Sequence, residues 1–492
     1  VQNYKGKIDD RVFHLVGQAA DSLGQSCHVV GGYVRDLLLN RTSKDIDFTT
    51  VGSGVELARE VARLIGRGAH FSVFQAFGTA RVSTHSGLEL EFVGARRESY
   101  RRGSRKPIVE DGTFEDDINR RDFTINAMAI SVNGDNYGEL IDLFGGVDDL
   151  RDGIICTPLD PDITFSEDPL RMLRAVRFAT QLDFRIEDRT WDSICRNAGQ
   201  VRTLSGERIA DELNKIMKSP VPSTGWWLLL NSGLLQLILP EVAALHGVDK
   251  VNGRAHKENF DHTMQVLDKV AVAGGDLWLR WAALLHDVAK PLTKRWDDAH
   301  GWTFHNHNFI GARMVPGIFR RLKLPMNADM KYVSRLVELH MRPVSLVEET
   351  VTDSAIRRLG TDAGDRKTLD DLMTLCEADV TSKNPEKVRR CMANLALVKE
   401  KLAELEARDE VRCYLPPVNG LVVKRVFGLS DGPILKDVIM RLKDAWIEGK
   451  VTRDYDENFD YMLDVIAPEL NLVPVDTERH SPDDIKKKKC TT

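Results

Sequence analysis

Two adjacent glycines running into a short helix, followed by a strand with two carboxylates, constrain this chain more than any other stretch. The residues are Gly31-Gly32-Tyr33-Val34-Arg35-Asp36 and, nine positions on, Asp45-Ile46-Asp47. In a strand, side chains two apart point to the same face, so Asp45 and Asp47 converge. Mg2+ takes oxygens from one or two carboxylates plus substrate phosphates, which suits this pair. Gly31 and Gly32 leave backbone N–H groups uncovered, so a triphosphate can come close. Together these parts predict a nucleotidyl-transfer site, a chemistry that needs positioning and charge neutralisation more than covalent help. A third carboxylate from a neighbouring strand would complete it. Glu89 and Glu91 share one face of the predicted strand Leu88 to Val93, and Glu91 is the candidate. The competing reading is that both only solubilise an edge strand.

The surrounding pattern is α/β. Residues 8–24 read as a helix, Cys27 to Val30 and Asp45 to Thr50 as strands, and Val55 to Ile65 as a helix. Phe71 to Phe74, Thr79 to Ser83 and Leu88 to Val93 carry the β-branched and aromatic residues that strands favour. From Asp168 onward helical periodicity dominates. At 492 residues the prior is roughly three domains. The expected fold class is α+β. A nucleotidyltransferase-type head with a small mixed sheet spans 1–155, and all-helical sections span 156–249, 250–385 and 386–475. A disordered polar tail spans 476–492 and ends in Lys486-Lys487-Lys488-Lys489. Leu415-Pro416-Pro417 reads as a linker-like break, and Asp431 as the cap of a helix that Pro433 opens.

Hydrophobic residues at 42% and charged residues at 29% describe an ordinary globular chain. The net charge of −6 argues against a general nucleic-acid binder. Its distribution is uneven, however: Arg96, Arg97, Arg101, Arg102, Arg105, Lys106, Arg120 and Arg121 lie close in sequence. They form either a basic patch or a solvated loop. The seven cysteines are scattered and never spaced C-x-x-C, which fits a reducing cytosol and not a disulfide framework or Cys-based zinc site. The N-terminus lacks an apolar signal region, and Trp226 to Pro240 is broken by Asn231-Ser232-Gly233. A cytoplasmic protein with no membrane association is expected.

Three further segments suit the same chemistry. Arg120-Arg121-Asp122-Phe123-Thr124-Ile125-Asn126-Ala127 sets two arginines beside a turn, and arginine grips phosphate in a fork. The Asn126 amide can hold a ribose hydroxyl. Asp142-Leu143-Phe144-Gly145-Gly146 reads as a glycine hinge between domains. In Glu167-Asp168-Pro169-Leu170-Arg171-Met172-Leu173-Arg174-Ala175-Val176-Arg177-Phe178, Pro169 opens a helix and Asp168 and Arg171 share a face. Asp168 only accepts and Arg171 only donates, a pattern that fits the Watson–Crick edges of C and A but not of G and U. The competing reading is a surface i,i+3 salt bridge worth below about 1 kcal/mol. Arg174 and Arg177 can likewise face solvent, with Leu173 and Val176 turned to the core.

In this order, G-G-x-V-R-D, D-I-D, R-R-D-F-T-I-N-A, D-x-F-G-G and E-D-x-x-R-x-x-R-A-x-R-F resemble the class II tRNA nucleotidyltransferases. These are the CCA-adding enzymes and their bacterial poly(A) polymerase relatives. The resemblance is dense over 27–180, and Glu207-Arg208-Ile209-Ala210-Asp211-Glu212-Leu213 echoes the family's next helical motif. It implies a head, neck, body and tail. It implies Asp45 and Asp47 as catalytic Mg2+ ligands, and Asp168 with Arg171 as the protein template for CTP and ATP. The motifs make Gly31, Gly32, Arg35, Arg121, Asp122, Asn126, Arg174 and Arg177 the other candidate nucleotide-binding residues. The tRNA 3′ hydroxyl would be the nucleophile and pyrophosphate the leaving group. The segment from Ala95 to Asp117 resembles the family's flexible loop, which is linked to adding the terminal A and is shortened in CC-only enzymes. Addition of CCA, or of A, is therefore expected over CC addition. Poly(A) synthesis is the alternative, and no obligate protein partner is implied.

A second constellation lies further on. In Trp281-Ala282-Ala283-Leu284-Leu285-His286-Asp287-Val288-Ala289-Lys290-Pro291 an apolar helix ends in an adjacent His-Asp pair. Buried polar residues need partners, and a metal is an economical one. The pattern H…HD…D resembles the HD phosphohydrolase superfamily. By that resemblance His262, His286, Asp287 and Asp379 hold a second divalent metal, with His307 and His340 nearby. Such centres activate water against phosphate esters. Some CCA-adding enzymes carry an HD domain with phosphodiesterase, 2′-nucleotidase or phosphatase activity. A remnant HD fold kept for packing or RNA docking is one alternative; an HD-type hydrolase whose head only binds RNA is another. Lys436, Arg441 and Lys443 make the C-terminal section mildly basic, where by resemblance the tRNA elbow would rest.

Overall fold

The computed structural model describes residues 3–74, 78–99, 108–251, 254–255, 258–348, 352–382, 384–409 and 416–479. Two compact units result, Val1–Ala243 with Arg321–Lys323 and Ala244–Arg320 with Leu324–Thr492. The first boundary thus falls at 243/244, a little before the expected 249/250.

The first unit opens with α1 (Arg11–Leu23), β1 (Cys27–Val30), α2 (Gly32–Leu38), β2 (Asp45–Thr50) and α3 (Gly54–Ile65). Strands β3 (Ala69–Phe74), β4 (Thr79–Thr84) and β5 (Glu89–Gly94) follow, then β6 (Arg96–Ser99), β7 (Ile108–Asp111), α4 (Phe114–Asn119), β8 (Met128–Ser131) and β9 (Leu140–Asp142). Seven strands form one sheet in the order β3-β4-β5-β2-β1-β8-β9. All neighbours are antiparallel except β2 and β5, which run parallel. β6 and β7 pair separately as a hairpin where a flexible loop is expected. Arg101, Arg102, Arg105 and Lys106 lie outside the described residues, as do Leu415 and positions 480–492 of the expected tail.

The period-2 pattern of β2 decides which face carries chemistry. Ile46 and Phe48 are buried while Asp45 and Asp47 are exposed. Phe48 stacks on Phe92 of β5 at 5.1 Å and meets Phe13 of α1 at 6.1 Å. Leu57, Ala58 and Val61 of α3 are fully buried, and α3 packs on β3, β4, β5 and α1. Burying one such Phe side chain contributes about 1.5–3 kcal/mol. A one-residue register slip would expose these rings and turn both aspartates into the core.

Helices α5 (Gly146–Asp152), α6 (Pro161–Glu167), α7 (Leu170–Leu182), α8 (Asp188–Asn197) and α9 (Gly206–Met217) continue the first unit. α7 buries Met172, Leu173, Ala175, Val176 and Ala179 and packs on α9. The apolar run around Trp226 forms the helices Pro222–Asn231 and Leu234–Ile238, with Trp226 fully buried. The expected hinge at Gly145-Gly146 is instead a tight helix start. Asp142 accepts hydrogen bonds from the Gly146 and Val147 amides at 2.8 and 2.9 Å. A Cβ on Gly146 would stand 2.3 Å from the Thr124 carbonyl oxygen. Close approach of two backbones requires this glycine, not flexibility.

Among its described residues the second unit is helical apart from the short pairs Lys250–Val251 with Arg254–Ala255 and Arg295–Asp297 with Gly301–Thr303. Phe260, Leu267, Trp281, Phe319, Leu336 and Leu372 are buried in its helices. A separate cluster of Val418, Val423, Val438, Leu442, Phe459 and Met462 forms the C-terminal core. Asp431 does not cap the helix Pro433–Ile447; Gly432 takes that position, and Asp431 pairs with Lys424 at 2.6 Å. The architecture is α+β. Among the described residues no helix is long and apolar enough to cross a membrane.

Gly146→Ala is expected to destabilise the first unit by about 1–3 kcal/mol, since the added methyl meets backbone that cannot rotate away. A denaturant melt read out on that unit checks this; an unchanged midpoint would show that the contact relaxes freely.

Candidate active site and metal centre

Parallel pairing sets Asp45 opposite Glu89 and Asp47 opposite Glu91, so four carboxylates share the open face of the sheet. On the other side Val30 pairs with Asp47, which brings the next residue, Gly31, beside that carboxylate. A Cβ on Gly31 would lie 3.1 Å from Arg121 Nη1 and 3.7 Å from Asp47 Oδ2. Its φ of +72° is a conformation that favours glycine. Gly31, Asp47 and Arg121 therefore meet at one point. Surrounding protein atoms and the charges of Glu91 and Asp45 push the Asp47 pKa above the ordinary value, against the pull of Arg121. A hard cation relieves that crowding, and the all-oxygen donor set of Asp45, Asp47 and Glu91 fits Mg2+. Arg81 of β4 stands 3.5 Å from Glu91 and 3.6 Å from Glu89, partly neutralising both.

The arginines are positioned by buried acids. Asp117 is fully buried and bonds both Arg120 Nε and Arg121 Nη2 at 3.0 Å. Burial opposes its charge, but Arg121 and Arg120 outweigh this and hold its carboxyl below the usual range. Arg35 donates to Asp36 at 2.9 and 3.0 Å and to Asn126 Oδ1 at 2.9 Å. Asn126 Nδ2 in turn donates to Asp122, whose other oxygen accepts from Arg174 Nε at 2.6 Å. Both ends of the buried Asn126 amide are thus engaged within the protein. It braces the turn from within the protein. The guanidinium carbons of Arg177, Arg35 and Arg174 lie 4.0, 5.2 and 5.4 Å from the Phe178 ring centroid. Arg177 does not face solvent: it is 11% exposed and pairs with the buried Glu212 at 2.6 Å.

Asp168 and Arg171 do not form the i,i+3 salt bridge. Arg171 donates to the Thr164 carbonyl at 3.1 Å, to Glu167 at 3.0 Å and to the Arg120 carbonyl at 2.6 Å. Asp168 Oδ1 accepts from the Leu170 amide, and Oδ2 accepts from Arg208 Nη2 at 2.8 Å. Arg208 on α9 was missed by sequence reasoning, as were Asp117 and the counter-ion role of Glu212. The echo motif Glu207-to-Leu213 is the signal that contains two of them: it carries Arg208 to Asp168 and Glu212 to Arg177.

In the second unit the histidines gather at helix ends. His286 follows Leu277–Leu285, His340 follows Ala328–Leu339, His307 starts His307–Arg321 and Asp379 ends Arg366–Asp379. His262 projects from Asn259–Val272. Six donors result, in two groups: His262, His286 and Asp379, and Asp287, His307 and His340. Within each group the ligand atoms lie within 4.8 Å of one another. The four expected ligands come together: Asp287 Oδ2 lies 3.2 Å from His286 Nε2 and 3.4 Å from His262 Nε2, and Asp379 Oδ1 lies 2.8 Å from His262 Nε2, while Asp287 Oδ1 also faces His307 Nε2 at 3.3 Å. Burial lowers the His340 pKa to about 4, and His286, Lys290 and hydrogen bonds overcome burial to hold the Asp287 carboxyl far below its usual range. Nitrogen and oxygen donors converging in this way fit a divalent transition metal.

Known families match each part of the chain: Poly A polymerase head domain over 27–156, probable RNA and SrmB-binding site of polymerase A over 183–245, and HD domain over 259–383. The chain is 33% identical over 433 residues to the A-adding tRNA nucleotidyltransferase of Deinococcus radiodurans, covering 86% of this chain and 92% of the relative. It is 35% identical over 351 residues to the multifunctional CCA protein of Pseudomonas paraeruginosa, covering 67% and 80%. Its fold is shared with the Thermotoga maritima CCA-adding enzyme, solved in complex with tRNA, at a TM-score of 0.60 and 23% identity over 94% of this chain and 99% of the other. Since the ordered motifs, the carboxylate-bearing sheet and the extended identity agree, this chain belongs to the tRNA nucleotidyltransferases, enzymes with a poly(A)-polymerase-type head, here joined to an HD domain.

Proposed function

We propose that the protein extends the 3′ end of tRNA, using CTP and ATP to build CCA and releasing pyrophosphate. The observation that carries this reading is the meeting of Gly31, Asp47 and Arg121 beside a face of four carboxylates. Asp45 and Asp47, with Glu91 beside them, would hold Mg2+, which would supply charge neutralisation to the triphosphate. Gly31 admits the phosphates close to the backbone, and Arg121, aligned by Asp117, faces them with an arginine fork. The tRNA 3′ oxygen attacks the α-phosphorus, the bond from that phosphorus to the bridging oxygen breaks, and the hydroxyl proton passes to a carboxylate of this face. Asp168 and Arg171 read the base edge. Arg208 holds Asp168 Oδ2 at 2.8 Å, and the carboxylate keeps lone pairs for the base, so Arg208 is a positioning residue for the template.

Addition of A alone to a tRNA already ending in CC is the second reading, favoured by the likeness to the Deinococcus radiodurans enzyme along nearly its whole length. We read the HD unit as a metal-dependent phosphohydrolase of phosphate esters, supported by its converging histidines and aspartates.

An incorporation assay separates these readings. Transcripts ending at the discriminator base, at C or at CC are given Mg2+ with CTP, ATP or both. CCA addition predicts C, C and A on the first; A-only addition leaves it unextended and adds one A to the third. A long A ladder would assign poly(A) synthesis, and phosphate release without incorporation would assign an HD hydrolase with an RNA-binding head. Asp47→Ala should lower incorporation by about a thousandfold, near 4 kcal/mol of transition-state stabilisation. Retained activity would remove Asp47 from the metal site. Asp168→Ala should raise GTP and UTP misincorporation about tenfold or more. Arg208→Ala should lower kcat/KM for CTP and ATP alike, and unaltered kinetics would show that Arg208 does not position the template.

A further inference from the structure

We propose that Arg81 of β4 binds the last phosphodiester of the tRNA acceptor strand and so brings its terminal 3′ hydroxyl to the carboxylate face. This rests on the reading of the head as a nucleotidyl-transfer site and adds a residue that none of the ordered motifs contains. The order of the strands carries the first step. β4, β5, β2 and β1 lie side by side, so Asp45 and Asp47 stand between Glu89 and Glu91 on one flank and Gly31 on the other. Gly31 and Arg121 meet Asp47 on the β1 flank, which is where the triphosphate and its departing pyrophosphate are placed above. Phosphoryl transfer sets the attacking and leaving oxygens roughly in line, on opposite sides of phosphorus. The attacking strand therefore enters over β5 and β4.

Four carboxylates share that face, and a phosphodiester brings a further negative charge to it. Its approach needs a local cation. Arg81 is the one arginine or lysine among the described residues of β3, β4 and β5. It lies directly opposite Glu91 in the antiparallel β4–β5 pair, which puts its side chain on the carboxylate face. On the next strand Ser72 lies opposite Arg81 and Phe74 opposite Thr79, so Phe74 shares the same face.

The guanidinium is held in place with donors to spare. Its carbon lies 5.5 Å from the Phe74 ring centroid, a contact that supports the group without engaging an N–H in a hydrogen bond. Nη2 lies 3.5 Å from Glu91 and Nε 3.6 Å from Glu89, at and beyond the outer limit of hydrogen bonding. A guanidinium carries five N–H donors in a rigid fork that matches two oxygens of a phosphate. The Arg81 side chain is 42% exposed, so solvent and an incoming strand can reach that fork. Arg121, in contrast, is 19% exposed and tied to the buried Asp117 at 3.0 Å. One arginine is fixed toward the triphosphate, and the other stays open on the flank of the acceptor. A phosphodiester presents the same oxygens whatever base it carries, so Arg81 positions the strand and does not read its sequence.

The test compares the full-length wild type with Arg81→Gln and Arg81→Lys on a tRNA transcript that the wild type extends. Acceptor, nucleotide, Mg2+, pyrophosphate and salt are varied in turn. Arg81→Gln should raise the KM for tRNA about tenfold, with the KM for ATP or CTP and inhibition by pyrophosphate unaltered. The slope of log KM for tRNA against log salt should become shallower by about 0.7, the value for one phosphate contact on a single strand. Arg81→Lys keeps the charge and should recover most of both losses. A second measurement leaves the protein intact: a transcript whose last phosphodiester is a neutral methylphosphonate. The wild type should lose about tenfold on it and Arg81→Gln should lose nothing further. A wild type indifferent to the methylphosphonate would overturn the proposal. So would a raised nucleotide KM or weakened pyrophosphate inhibition at an unchanged tRNA KM, which would put Arg81 on the triphosphate. A shift in the Mg2+ requirement alone would make Arg81 a counter-ion of Glu91 and overturn the proposal equally. Each of these leaves the nucleotidyl-transfer reading standing; no incorporation by the wild type would overturn both.

Discussion

The parallel pairing of β2 with β5 is the constraint from which the head's chemistry follows. It brings two acidic strands side by side, and their mutual repulsion is tolerated because the opposite face of the same strands is a packed aromatic layer. Phe48 and Phe92 stack there with nearly parallel rings, at 10° between planes. Apolar burial is worth several kcal/mol across such a layer and outweighs the modest repulsion of partly solvated carboxylates. The sheet thus presents concentrated negative charge in an orientation that a divalent ion and a triphosphate can use.

The positive side of the site is organised by the same logic in reverse. Asp117, Asp122 and Glu212 are buried acids, and each orients at least one arginine. Leaving any of these carboxylates without its partner would leave a buried charge uncompensated, which is far costlier than losing a surface pair. The arginines are therefore held in one geometry before any phosphate arrives. Preorganised charge of this kind does not have to be rearranged as the reaction proceeds.

The histidine cluster shows a different route to rigidity. Three of its histidines, His286, His307 and His340, sit at helix ends and donate Nδ1–H to a nearby backbone carbonyl, while His262 Nδ1 meets the Thr381 hydroxyl. That one contact sets the tautomer, the ring orientation and the direction of the free nitrogen together. The neighbouring apolar residues, Leu284 and Leu285 among them, exclude water from the rings.

Much of this was legible in the residues. Strand β1 and strand β2 lie where the alternation and the glycine pair place them, because side-chain period and backbone freedom are local properties. The placement of Asp45 and Asp47 on one open strand face, and of His286 beside Asp287, was legible for the same reason: it is set by spacings of one or two residues. The glycine pair at 145–146 misled, since a tight backbone approach to Thr124 and a flexible hinge call for the same residue. The partners of Asp168, Asn126 and Asp287 were not legible. Arg208 lies 40 positions from Asp168, and Arg35 lies 91 from Asn126. Local pattern announced which groups carry chemistry and which strand face they occupy; packing between distant segments chose which charge meets which, because buried acids and bases are satisfied across space and not along the chain.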